Sequence, residues 1–70
     1  MSDLDGRLLA AHAREDRAAL IGLYTEAGDS VNDFDAACFY LTHAYVFALE
    51  AGAPEAAALH GRLKAAGREE

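Results

Sequence analysis

The segment from Asp33 to Ala51 constrains the fold more than any other part of the chain. It is interrupted by no glycine or proline and holds no run of β-branched residues alternating with polar ones, so a single long helix is expected there. At 100° per residue, Phe34, Ala37, Cys38, Leu41, Ala44, Tyr45, Ala48 and Leu49 occupy one continuous arc. That arc is wider than the apolar stripe of an ordinary surface helix, and it is the expected core face, with alanines that let a neighbouring helix approach closely. On the other side stand Ala36, Phe39, Tyr40, His43, Val46, Phe47 and Glu50, four of them large and apolar or aromatic. A helix that is apolar on both sides is normally covered on both sides. Burying one Phe or Val is worth ~1.5–3 kcal/mol, so leaving the second face in water forgoes several such contributions.

Two arrangements cover that face. In one, the first part of the chain is broken and folds across both sides, giving a four-helix arrangement within the molecule. In the other, the face belongs to another chain, a second copy or a different protein, because exposed apolar patches of that size usually mark interaction sites. On that reading Phe39, Tyr40, His43, Val46 and Phe47 are the interface residues.

Turn punctuation falls at Gly28-Asp29-Ser30 and at Gly52-Ala53-Pro54, dividing the chain into three segments, and no β-hairpin signal appears. The first segment reads as a helix over about 3–27, with Ser2 and Asp5 spaced as a capping box. Its Leu4, Leu8 and Ala11 lie on one face, and Leu20, Leu23, Tyr24 and Ala27 on another rotated by roughly 110°. Either one helix meets different neighbours at its two ends, or it breaks near 13–17 with Asp16 capping a second helix. The middle helix spans about 33–51, with Asn32 and Asp35 as a cap-like pair and Gly52 as a left-handed terminator. Pro54 then suits the first position of a third helix over about 54–66, whose Ala56, Leu59, Leu63 and Ala66 share a face and which ends near Gly67. The tail from Arg68 to Glu70 is expected to fray. The fold class is therefore all-α, a small three- or four-helix bundle built on an antiparallel helical hairpin.

A chain of 70 residues makes one domain, residues 1–70, and buries ~60% of its unfolded surface. Such domains gain stability from disulfides, metals or association. Cys38 is the only cysteine, so no intramolecular bridge is available, and a lone thiol fits a reducing compartment, which makes the cytoplasm the expected location. The acidic opening Ser2-Asp3-Leu4-Asp5 does not read as a secretory signal. The apolar stretch is interrupted by Thr42 and His43 and falls short of the ~20 residues a spanning helix needs. A formal net charge of −6 lacks the positive field that nucleic acids and anionic membranes attract, so neither is an expected partner.

The candidate chemistry is sparse. His12, His43 and His60 do not form a His-x3-His pair, and Cys38 and His43 lie about 140° apart on their helix, so neither set suggests a metal. Glu50, two turns beyond His43, is a candidate for a pH-sensitive contact with His43 of another chain across a twofold axis. Cys38 on the core face acts as a small hydrophobe, with no electropositive setting to activate it. Asp3, Asp5, Asp29, Asp33 and Asp35 cluster near helix starts, where the dipole favours them. The segment Asp29 to Asp33 lacks the central glycine and terminal glutamate of a calcium loop. No cofactor, metal or catalytic residue is expected.

The run Leu20-Ile21-Gly22-Leu23-Tyr24-Thr25-Glu26-Ala27-Gly28-Asp29 resembles the first helix and turn of a tetratricopeptide repeat, and Ala37, Leu41 and Ala44 match the spacing of its second-helix positions. The resemblance covers about residues 16–51. It departs from the pattern at the turn holding Ser30-Val31-Asn32, which is about four residues too long, and at Pro54, which lies well beyond the repeat's proline; a single unit is present where arrays need at least three. What it implies is an antiparallel helical hairpin with a protein-binding role. The expected function is a small protein–protein interaction module, self-associating or adaptor-like; the alternative is a regulatory domain binding a ligand in an aromatic-lined pocket.

Overall fold

The computed structural model describes residues 3–68, so the proposed cap at Ser2 and the tail residues Glu69 and Glu70 lie outside it. The protein is all-α, with four helices: α1 (Leu4–Ala13), α2 (Arg17–Ser30), α3 (Phe34–Ala51) and α4 (Glu55–Ala65).

The first segment is broken, and the device that breaks it contains neither glycine nor proline. Glu15 takes a left-handed conformation, φ 52°. Its N–H donates to the carbonyl of His12, and the Asp16 N–H reaches back to the carbonyl of Ala11. These two bonds form a Schellman turn closing α1. Asp16 then caps α2, its side chain accepting from the Ala19 N–H at 3.1 Å. The same turn recurs with glycine at the left-handed position in two further places. Gly52 (φ 63°) ends α3, with the Ala53 N–H on the Ala48 carbonyl; Gly67 (φ 78°) follows α4, with the Arg68 N–H on the Leu63 carbonyl.

Two expected boundaries move. Gly28-Asp29-Ser30 is not a turn: α2 runs through it, and the Ser30 hydroxyl donates to the Glu26 carbonyl one turn back. Gly28 is buried, and a Cβ there would meet Leu41 at 3.0 Å and the Ala37 carbonyl at 3.2 Å. The glycine thus marks the closest approach of α2 to α3, not a stop. The cap of α3 is Asp33, which accepts from the Asp35 N–H at 3.1 Å; Asn32 does not fill that role.

The helices pack in chain order, each antiparallel to the next. Tyr24 lies beside Phe47 and Gly28 beside Leu41 across the α2–α3 hairpin; Arg17 reaches Glu50 at its far end. The core joins Ile21 of α2, Leu41, Ala44 and Ala48 of α3, and Leu59 and Leu63 of α4, with Tyr24, Tyr45, Phe47, Ala53 and Ala56 against it. Ala11, fully buried, lies on α1, which packs on α2. Ion pairs Arg7–Glu26, Arg17–Glu50, Arg62–Asp29 and Arg68–Asp35 tie elements together at the half-exposed rim. Arg68 does not simply fray, since it also lies over the Phe34 ring at 5.3 Å.

The plate these helices form measures 32 × 29 × 12 Å. Two full helix layers would span about 13–15 Å between Cα atoms, given a Cα radius of ~2.3 Å and axes ~8–10 Å apart. The plate is thus close to two helix layers deep, and the side of α3 carrying Phe39 and Val46 has no helix over it.

Candidate functional site

The helix α3 carries three strips. Cys38, Leu41, Ala44 and Ala48 are buried against α2 and α4. Phe34 and Leu49, expected in the core, lie at its margins, 58% and 55% exposed, because the two packing helices cover a narrower arc than the apolar pattern offers.

Next to the core strip, Tyr40, His43 and Phe47 are half-buried beneath side chains of the first two helices. The Tyr24 ring stacks on His43 at 5.2 Å and on Phe47 at 5.7 Å, and lies 6.3 Å from Tyr40. His12 of α1 meets Phe47 edge-on at 6.0 Å and Tyr24 at 5.8 Å, with its Nε2 2.8 Å from the Tyr24 hydroxyl. The broken first segment therefore does reach across part of the second face, using His12 and Tyr24. The rings fill each other's space.

It does not reach the rest. Phe39 is 60% exposed and Val46 46%. Phe39 packs its edge against His43 at 4.5 Å and meets Tyr40 at 5.7 Å, so it is the outermost ring of the aromatic group. Of the five residues read from the sequence as interface, the structure thus joins Tyr40, His43 and Phe47 to the molecule's own packing and leaves Phe39 and Val46 outside. Glu50 is engaged by Arg17 of its own chain at 3.5 Å.

Three further residues belong to the exposed strip. Asp35, Phe39, Thr42, Val46 and Leu49 are spaced 4-3-4-3 and fall within an arc of about 80°. That is the periodicity of a helix-pairing seam. Thr42 is the polar member in the middle, but its hydroxyl donates to the Cys38 carbonyl at 2.8 Å and is satisfied within its own helix. Wheel analysis alone placed Leu49 in the wide core arc; the 4-3 spacing was the signal that groups it with Phe39 and Val46.

Among the described residues, no group of three or more His, Cys, Asp or Glu side chains converges as a metal site would require, and no helix is long and apolar enough to cross a membrane. A concavity of about 500 Å³ is an open groove between α1 and α2 lined by Ala10, Ala18, Ala19 and Gly22. A second one beside α3, about 410 Å³, is lined by Asp35, Cys38, Phe39, Thr42 and Arg68. No protein-family model, curated protein or solved structure matches the chain.

Proposed function

We propose that this protein is a small, non-catalytic protein–protein interaction module that associates with a second copy of itself through the outer strip of α3. The single observation that carries this reading is the row of Phe39, Val46 and Leu49, each at least 46% exposed, on one face of the 18-residue helix whose opposite face, Cys38, Leu41, Ala44 and Ala48, is buried. Apolar side chains aligned at helix-pairing spacing are matched by another helix with the same spacing, and the copy of α3 in a second molecule has it. The antiparallel α2–α3 hairpin falls within the stretch that resembles a tetratricopeptide repeat, which favours protein binding over other roles. A single buried cysteine favours a reducing, cytoplasmic setting. An aromatic-lined ligand pocket has less support, because Tyr24, His43 and Phe47 stack on one another.

The test is sedimentation equilibrium across a concentration series. A monomer–dimer equilibrium is expected, and a clean monomer at high micromolar concentration overturns self-association. Phe39→Ser and Val46→Ser are expected to give folded monomers with unchanged helical circular dichroism. Phe47→Ser, whose ring packs on the core and on Tyr24, is expected instead to lower stability by about 3 kcal/mol, in the range of large-to-small core substitutions.

A further inference from the structure

We infer that α1 is a detachable lid: it leaves the molecule as one unit about the turn at Glu15, uncovering Leu20, Tyr24 and Phe47 while α2, α3 and α4 stay folded. This concerns contacts within a single chain and stands apart from the self-association proposed above.

The core lies elsewhere. The cluster of Ile21, Leu41, Ala44, Ala48, Leu59 and Leu63, with the side chains packed against it, contains no residue of α1. Departure of α1 leaves the contacts among the other three helices in place. The helix packs chiefly on α2, and Ala11 is its one buried residue, with Leu4 and Leu8 half-buried. So little buried apolar surface holds it weakly.

The strain lies at the hinge. Among the described residues Glu15 is the one non-glycine residue with positive φ, and it stands between α1 and α2. Two bonds hold it there, from its own N–H to the His12 carbonyl and from the Asp16 N–H to the Ala11 carbonyl. Both acceptors belong to α1, so they are lost when α1 detaches and the left-handed backbone relaxes. A ten-residue helix is marginal in water once its packing is gone, so the detached α1 loses its helix as well.

What α1 covers is aromatic and apolar. Leu20 is buried yet stands outside the core cluster, and it lines a cleft of about 220 Å³ with His12, Phe47, Arg17 and Glu50. His12 meets Phe47 edge-on and places its Nε2 2.8 Å from the Tyr24 hydroxyl. Nearer the start of α1, Arg7 pairs with Glu26. Both polar attachments are exposed, where water competes with them. Tyr24 stacks on His43, and Phe39 packs on the same ring, so the uncovered side chains run on from one already in water. The position of α1 thereby sets how much of the second face of α3 meets solvent. With α1 closed it is Phe39 and Val46; with α1 open the surface extends through His43 to Phe47, Tyr24 and Leu20.

Native-state hydrogen exchange of the full chain across a series of low urea concentrations tests the lid. The amides of Leu8 to Ala13 are expected to share one opening constant, at least tenfold larger than that of Leu41, Ala44 and Ala48. Their urea slope is expected to be roughly a fifth to a third of the slope for those core amides, since it scales with the surface exposed. A single constant and slope common to α1 and the core overturns the lid, because α1 then unfolds only with everything else. Separate constants along α1 without urea dependence overturn it too, because the helix then frays residue by residue. Uncovering is read by thiol labelling of Leu20→Cys in a Cys38→Ala background, with exchange of the unsubstituted chain deciding the matter should this variant fail to fold. Labelling in proportion to the opening of α1 in that variant is expected, and labelling in proportion to global unfolding overturns the exposure of Leu20. Glu15→Gly is expected to lower the opening constant of α1 by about three- to tenfold, and an unchanged constant overturns Glu15 as the hinge.

Discussion

Glu15 is the residue on which the topology of the first half turns, and it is an unfavourable choice for its position. A left-handed backbone brings the Cβ of an L-residue against the following carbonyl, at a cost of ~1–2 kcal/mol that glycine does not incur. The two other turns of this kind in the molecule use Gly52 and Gly67. Glu15→Gly is therefore expected to stabilise the protein by about 1 kcal/mol, raising the midpoint of thermal unfolding by roughly 4–8 °C for a domain of this size. The glycines inside helices divide by what surrounds them. A Cβ on Gly61 meets nothing within 4 Å, so Gly61→Ala should stabilise α4 by about 0.5–1 kcal/mol. A Cβ on Gly28 presses on Leu41 and on the Ala37 carbonyl, so Gly28→Ala should destabilise by about 1–3 kcal/mol. Urea titration of the two variants side by side gives the opposite signs directly.

At the scale of elements, α3 and α4 were largely legible because their ends carry residues with a single strong structural meaning. Gly52 supplies the left-handed turn and Pro54 cannot continue the preceding helix. The break between α1 and α2 was legible only as an alternative, since the residue adopting positive φ is a glutamate and the remaining signal was the Asp16 cap. Gly28-Asp29-Ser30 misled for a related reason: the same composition that makes a turn also permits two helices to touch, and only the tertiary contact with Leu41 distinguishes them. The second face of α3 was legible as apolar, but how much of it the chain would cover depended on where Tyr24 and His12 came to rest. Among the helices, α1 has the weakest anchorage. It packs chiefly on α2, with Ala11 as its fully buried side chain, Leu4 and Leu8 half-buried and Leu9 71% exposed. Its amide hydrogens are expected to exchange at least tenfold faster than those of the central turns of α2 and α3, measured by native-state hydrogen exchange, because local opening of a loosely packed element precedes global unfolding.

For the molecule as a whole, net charge and surface pattern act against each other. Two copies at −6 repel at long range, while the strip they would share is apolar apart from Thr42 and, at one end, Asp35. Salt screens the first and leaves the second intact, the Debye length falling from ~30 Å at 0.01 M to ~8 Å at 0.15 M. Self-association is accordingly expected to strengthen severalfold over that range, read by sedimentation, which is the reverse of what an interface built on ion pairs would do. The intramolecular pairs such as Arg7–Glu26 and Arg62–Asp29 are about half exposed and each contributes at most about 1 kcal/mol, so the same salt should change the unfolding midpoint little.

The serial packing of α1 on α2, α2 on α3 and α3 on α4 also governs how fast the molecule assembles itself. Every main contact joins helices adjacent along the chain through a turn of a few residues, so loop closure costs little entropy at each step. Helical proteins of such low contact order fold in microseconds to milliseconds. On the proposed self-association, encounter of two copies at micromolar concentration takes longer than that. Each newly made chain would thus reach its monomeric shape, with Phe39 and Val46 in water, before it meets another, and the slow bimolecular phase should be separable from a fast unimolecular one in a refolding trace.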